Sequence, residues 1–314
     1  MNSWQLQPVP LKFQLGDLTL FSVALPMQTR SDRLSDETAA VESPTRPGDP
    51  LERGSQGFMI RALPVAGELP KLHAVDGFLR YVPLQYRHCY IDLRTSFDEY
   101  QNKFSSKTRA TIKRKLRKFA DHCGGKIAWK TFSTPDEMRE FYRHAREVSR
   151  KTYQEKLLDA GIPDTDEFVR EMERFATDGQ VRGYVLFDGE RPVSYLYCPV
   201  HDGTLIYAYL GYDPEYMQYS VGTVLQWLAV QQMFEEAIFK FFDFTEGQSD
   251  HKRLFATHEL RCANVIFVRR TLPNMILLRS HLWTDRLSKR LGDSLHALGL
   301  KDRIKRRLRF GGVN

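Results

Sequence analysis

The chain has 314 residues, 42% of them hydrophobic with 20 phenylalanines, which is ample core for one large or two smaller domains and excludes a disordered chain. No apolar run approaches the roughly 18 residues of a membrane span, and MNSWQLQPVPLKF lacks the basic start and apolar stretch of a secretory signal. The net charge of +7 is local: Lys103 to Lys118 holds eight basic residues and no acid, Lys301 to Arg309 holds six against Asp302, and the remainder is net acidic. Anionic partners are therefore expected at two places, whether phosphate groups, acidic lipid or nucleic acid.

In chain order, residues 1–27 contain short apolar pieces, with Leu18 to Ala24 and Leu25 the best strand. Residues 28–57 lack aromatics apart from their surroundings, are rich in Pro, Gly and charge, and read as a flexible linker. Strands are expected again at Phe58 to Val65 and Tyr81 to Leu93, within residues 58–94. Ser96-Phe-Asp-Glu99 has capping-box spacing for a helix that carries Ile112, Leu116 and Phe119 on one stripe and stops at Gly124-Gly125. Lys126 to Phe132 is a strand. Thr134-Pro-Asp-Glu137 opens a helix running to about Lys151, and another follows Pro163. Asp188-Gly189 and Asp202-Gly203 then separate three strands of an antiparallel meander, ending at Tyr212. An amphipathic helix bearing Val221, Val224, Leu225, Leu228 and Met233 follows. After it come a Phe-rich strand, Ile238 to Phe244, and another at Arg261 to Arg270. The last 40 residues read as helical, with a basic end, KDRIKRRLRF.

The Phe-rich strand places Asp243 among Phe239, Phe241, Phe242 and Phe244, followed by Glu246 and Lys252. A buried carboxylate costs several kcal/mol or so unless partnered, so the segment is either a site or a structural acid that pairs with Lys252 or caps a turn. Tyr219-Ser-Val-Gly-Thr223 precedes the amphipathic helix, whose first amides suit a phosphate; a plain N-cap uses the same residues. His251 is either a base or a solvated loop histidine. Cys198 reads as a packed strand cysteine, and the four cysteines form no C-x-x-C pair, which points to a reducing compartment, most simply the cytoplasm. The nine histidines are scattered and no H-E-x-x-H, Walker loop, G-x-G-x-x-G or G-x-S-x-G occurs, so no metal site is expected.

Taken in order, the meander, Ser220-Val-Gly-Thr223, and Asp243-Phe-Thr-Glu-Gly247 with Lys252 downstream resemble the GNAT acyltransferase superfamily. The branch most resembled includes bacterial cellulose- and exopolysaccharide-associated acetyltransferases; the basic segment around Lys103 to Lys118 is similar to one carried there. The resemblance spans about residues 90–270. It implies an α+β fold, a central mixed sheet flanked by helices over residues 95–272, preceded by a partial or degenerate N-terminal GNAT-like half and followed by a basic helical tail, 273–314.

The resemblance also implies that the sheet opens between the strand before the helix and the strand after it. An acyl-CoA, acetyl-CoA in the first instance, would lie there against Leu210, with its pyrophosphate at Ser220, Val221, Gly222 and Thr223. Ordinary family members carry Gln/Arg-x-x-Gly-x-Gly/Ala, whereas Gln218 to Thr223 retains one glycine. Asp243 and Glu246 are the expected bases, Lys252 would orient the acid or stabilise negative charge, and Tyr209 would protonate the departing thiolate or simply pack. The acceptor implied is a saccharide or cell-envelope precursor, with peripheral contact to an anionic membrane or a polysaccharide synthase. The alternatives are a Fem-type transferase using charged tRNA and a non-catalytic accessory protein docking through its basic segments.

Overall fold

The computed structural model describes residues 4–297 except 17, 37, 153–160 and 248, with side chains to Leu291. The basic segment Lys301 to Arg309 lies outside the described residues. Contacts divide the chain into two compact units, Met1–His88 with Leu260–Asn314, and Cys89–Glu259. Most of the strand after the Phe-rich segment and the C-terminal helix fall in the first of these units.

In the first unit, β1 (Gln5–Leu15) and β2 (Leu18–Ser31) form an antiparallel hairpin. β2 continues in parallel against β3 (Gly57–Pro64), and β3 pairs antiparallel with β12 (His258–Arg269). β4 (Leu72–Val75) turns back on the start of β5 (Phe78–Asp92). Among its described residues the segment between β2 and β3 has no helix and one isolated bridge, Val41 to Val65. It is nevertheless held by specific bonds: the Glu52 amide donates to Gln28 Oε1 at 2.9 Å, and Arg80 donates to the Pro44 carbonyl at 3.1 Å. Residues poor in apolar surface are here ordered by polar contacts, which composition does not reveal.

In the second unit the end of β5 lies antiparallel to β11 (Phe241–Asp243), which is parallel to β9 (Thr204–Ile206). β8 (Arg191–His201), β7 (Val181–Asp188) and β6 (Ala128–Phe132) complete an otherwise antiparallel run. The sheet is therefore mixed and the fold α+β. The expected Phe-rich strand is shorter than its apolar run because Ala237 takes a left-handed conformation and regular pairing begins only at Phe241. Phe242 and Phe244 are fully buried, each stabilising by roughly 1.5–3 kcal/mol through its apolar area.

The helix expected from Ser96 is two. α1 (Phe97–Asn102) is capped by Ser96, and α2 (Ser106–His122) by Ser105, whose hydroxyl accepts from the Thr108 amide. Phe104, buried between them, turns the chain into the core. α3 (Pro135–Ser149) begins at the expected box, with the Glu137 carboxylate accepting the amides of Ser133 and Thr134; these bonds hold its pKa below the usual glutamate value. α4 (Asp166–Thr177) is capped by Thr165.

α5 (Val221–Glu236) is not amphipathic. It buries Val221, Val224, Gln226, Trp227, Val230 and Phe234, residues on every side, because it packs on β7 and β8 and is covered by α1 and α2. A short helix, α6 (Asp250–Phe255), follows β11. α7 (Leu272–Ala297) closes the first unit.

Candidate active site

The strand expected from Thr204 to Tyr212 is broken. β9 stays beside β11 as far as Tyr207, whose amide reaches the Asp243 carbonyl at 2.8 Å. The chain then shifts, and β10 (Tyr209–Tyr212) pairs, among the described residues, with β8 alone. Past Asp243 the other chain turns away, the Phe244 amide donating to the Cys89 carbonyl. Two strands paired for a few residues and then parted leave a wedge between β10 and the turn at 244–247. Their edge amides and carbonyls there are not committed to one another.

The turn is shaped by Asp243. This carboxylate is 5% exposed and its Oδ1 accepts the Thr245 amide at 2.6 Å, holding Thr245 at φ +60°. Gly247 at φ +100° completes the reversal, a conformation open to glycine. Glu246 lies between them with an exposed side chain. Lys252, on α6, donates to the Glu246 carbonyl at 2.7 Å and so ties the helix to the turn. Burial lowers the Lys252 pKa, an effect opposed by the nearby charges of Asp243, Cys89 and Glu246.

At the other side of the wedge a 3₁₀ turn, Pro214–Tyr219, leads through Ser220 at φ +56° into α5. Ser220 is the N-cap by position, but its hydroxyl makes no capping bond; its carbonyl accepts from Thr223 and Val224 instead. Gly222 faces β10: a Cβ built there would lie 3.4 Å from Leu210 and 3.5 Å from Tyr212. Leu210 thus sits beside the helix start.

The basic α2 converges on the same helix start. Lys115 Nζ donates to Thr223 Oγ1 at 3.4 Å, and Lys118 Nζ donates to the Gln218 carbonyl at 3.0 Å while lying 5.3 Å from the Tyr219 ring centre. Burial, then Arg114, lowers the Lys115 pKa. These two ammonium groups add positive charge to the amides that any helix N-terminus leaves open, a combination that favours phosphate. Lys103 is used differently, donating to the carbonyls of Leu254 and Ala256. The basic run is therefore not one solvated face.

Residues 106–253 match the model of the acetyltransferase (GNAT) domain. These residues are similar to a GNAT acyltransferase domain. No curated protein matches the sequence. Among solved structures, the C-terminal domain of a putative lysylphosphatidylglycerol synthetase from Agrobacterium fabrum is similar, with a TM-score of 0.46 at 10% identity over 72% of this chain and 71% of that one. L-PGS from Bacillus licheniformis gives 0.42 at 14% identity over 72% of each. A GCN5-related N-acetyltransferase from Kribbella flavida gives 0.33 at 10% identity over 60% of this chain and 59% of that one.

Within residues 106–253, Asp243, Glu246 and Lys252 lie together at one side of the wedge, and Leu210 with Ser220 to Thr223 at the other. Tyr209 projects to the opposite face of the sheet, packing on Phe168 and Tyr197 under α3 and α4. Burial, reinforced by Glu171, raises its pKa, so the phenol stays protonated at neutral pH. His251 is not a solvated loop residue. It lies on α6, is hydrogen-bonded through Nε2 to Gln226 Oε1, and packs against Phe255.

Sequence reading did not single out Gln226, Lys115 or Lys118. Gln226 is fully buried, and a glutamine inside Val224-Leu-Gln-Trp-Leu-Ala-Val230 was the available signal. Nothing local distinguishes Lys115 and Lys118 from the other six bases. Among the described residues no cluster of metal ligands occurs, all four cysteines are free, and no helix is long and apolar enough to cross a membrane.

Proposed function

We propose that the domain transfers an acyl group, in the first instance acetyl from acetyl-CoA, directly to an amine or hydroxyl of a saccharide or cell-envelope precursor. The parting of β10 from β11 beside the lysine-flanked start of α5 carries this reading. A slender thioester arm fits between separated strands whose edge groups can hydrogen-bond it. The residues present suit a pyrophosphate: the first amides of α5, with Lys115 and Lys118 adjacent. Preference for a saccharide acceptor rests on the order of the motifs from the basic segment to Lys252.

In this reading the acceptor's nitrogen or oxygen attacks the thioester carbonyl and gives its proton to Glu246, the acid whose side chain is exposed at the wedge. The C–S bond breaks, and the departing thiolate takes a proton from solvent, because Tyr209 is packed on the opposite face of the sheet. Lys252 fixes the turn that carries Glu246. Asp243 holds the turn itself.

Calorimetry with acetyl-CoA and longer acyl-CoAs, together with a thiol-release assay, tests the proposal. Saturable binding and release of free CoA in the presence of an acceptor are expected. Glu246→Gln should bind the donor as before and lower turnover by about 10²–10⁴. Binding of aminoacyl-tRNA without acyl-CoA affinity would replace this donor by a charged tRNA. No thiol release with any donor would leave a docking role.

A further inference from the structure

α7 rests on the β1–β2 hairpin by one face only. Leu278 is fully buried, His281 bridges the Tyr81 hydroxyl at 2.7 Å and the Lys12 carbonyl at 3.1 Å, and Ser288 Oγ accepts from the Gly16 amide at 2.8 Å. The opposite face is turned to solvent and is apolar where a solvated helix would be polar: Leu272 is 69% exposed, Ile276 58% and Trp283 66%. The hairpin extends this face. Phe21, 54% exposed, stacks on Phe13 with ring centres 4.3 Å apart, and together with Leu272, Pro273 and Ile276 they line an open apolar hollow of about 510 Å³. Leu18 and Leu20 are exposed at the hairpin tip.

Charge is set among these side chains. Arg279, Arg286 and Arg290 are exposed and recur with Ile276 and Trp283 at helical spacing, so the outward stripe alternates apolar and cationic groups. The chain beyond continues the sign, with six basic residues and one acid from Lys301 to Arg309.

We propose that this face of α7, with the hairpin tip, docks on an anionic lipid surface. A helix face left to water is polar, whereas the outward positions here, Leu272, Ile276, Arg279, Trp283, Arg286 and Arg290, carry large apolar groups and no acid. Interspersed Leu, Ile, Phe and Trp with arginines instead suits an interface where apolar side chains enter the acyl boundary and guanidinium groups meet phosphates. Trp283 at the middle of the stripe fits the preference of indole for that boundary. The contact is peripheral, since no described helix is long and apolar enough to span.

The test is co-sedimentation of the full chain with phosphatidylcholine vesicles, with or without phosphatidylglycerol. Binding is expected only with the anionic lipid and should weaken with salt. A blue shift of tryptophan emission on binding should vanish in Trp283→Phe. Ile276→Glu, at an exposed position, should keep its circular dichroism and melting temperature yet bind about tenfold more weakly or worse. Arg279→Glu with Arg286→Glu should do the same. Equal binding by wild type and Ile276→Glu would assign vesicle affinity to residues 298–314 alone and overturn the proposal. So would failure of the wild type to bind, or a dimer in light scattering that Ile276→Glu makes monomeric.

Discussion

Asp243 Oδ1 accepts the amide hydrogen of Thr245 at 2.6 Å, at the residue where β11 ends and the sheet opens. The bond offsets the left-handed backbone of Thr245, a conformation that costs about 1–2 kcal/mol for a residue with a Cβ. Asp243 therefore has a structural use beside its candidacy as a base. Asp243→Asn keeps an acceptor oxygen and is expected to stay within about 1 kcal/mol of wild type, while Asp243→Ala should lose about 1–3 kcal/mol in urea unfolding. If Asp243 rather than Glu246 takes the proton, the Asn variant will be folded and inactive.

Lys115 and Lys118 should act on donor binding and leave the chemical step alone. Each to alanine is expected to raise KM for the acyl-CoA by about three- to tenfold with kcat nearly unchanged, as for a charge-assisted phosphate contact partly open to water. Lys107, exposed on the same helix, serves as the control. Equal effects at Lys107 would mean a diffuse field and no located phosphate site.

His251 makes the fold acid-sensitive. Burial, then Lys115 and Lys252, holds its pKa below the ordinary imidazole value of 6.5. The folded state thus binds this proton less readily than the unfolded chain. The associated stability is fully present above pH 6.5 and is lost as pH falls through the lowered folded value. His251→Gln is expected to flatten that part of the stability profile in denaturant melts taken at successive pH values. An unchanged slope would show that His251 titrates normally.

Gly211 is required by packing. A Cβ there would sit 2.3 Å from the Tyr195 ring on the neighbouring strand, itself held in the core under α3 and α4. Gly211→Ala should destabilise by about 1–3 kcal/mol as an overpacked core. Gly222→Ala, whose nearest neighbour would be 3.4 Å away, should fold normally. Thermal melts of the two variants compare them directly, and equal melting temperatures would contradict the geometry.

The meander, both Asp-Gly turns, the Glu137 capping box and the helix after Pro163 were legible because each is local: a turn residue, a cap or a strand alternation acts within a few positions. The breaks were not. Thr204 to Tyr212 reads as one strand, yet its division at Tyr207 follows from which neighbour each half pairs with. Likewise α5 looked one-sided because its periodicity could not show that two further helices cover it.

The residue order alone determined that a carboxylate-bearing turn follows a buried strand and that a glycine-containing helix start precedes it. Only the tertiary structure decided that these face one another across a parting of the sheet, that Lys115 and Lys118 and no other bases of α2 reach Thr223 and Gln218, and that His251 meets Gln226. The physical reason is distance along the chain. Those contacts join residues 25 to 108 positions apart, and their energies depend on burial and on partners that neither segment carries within itself.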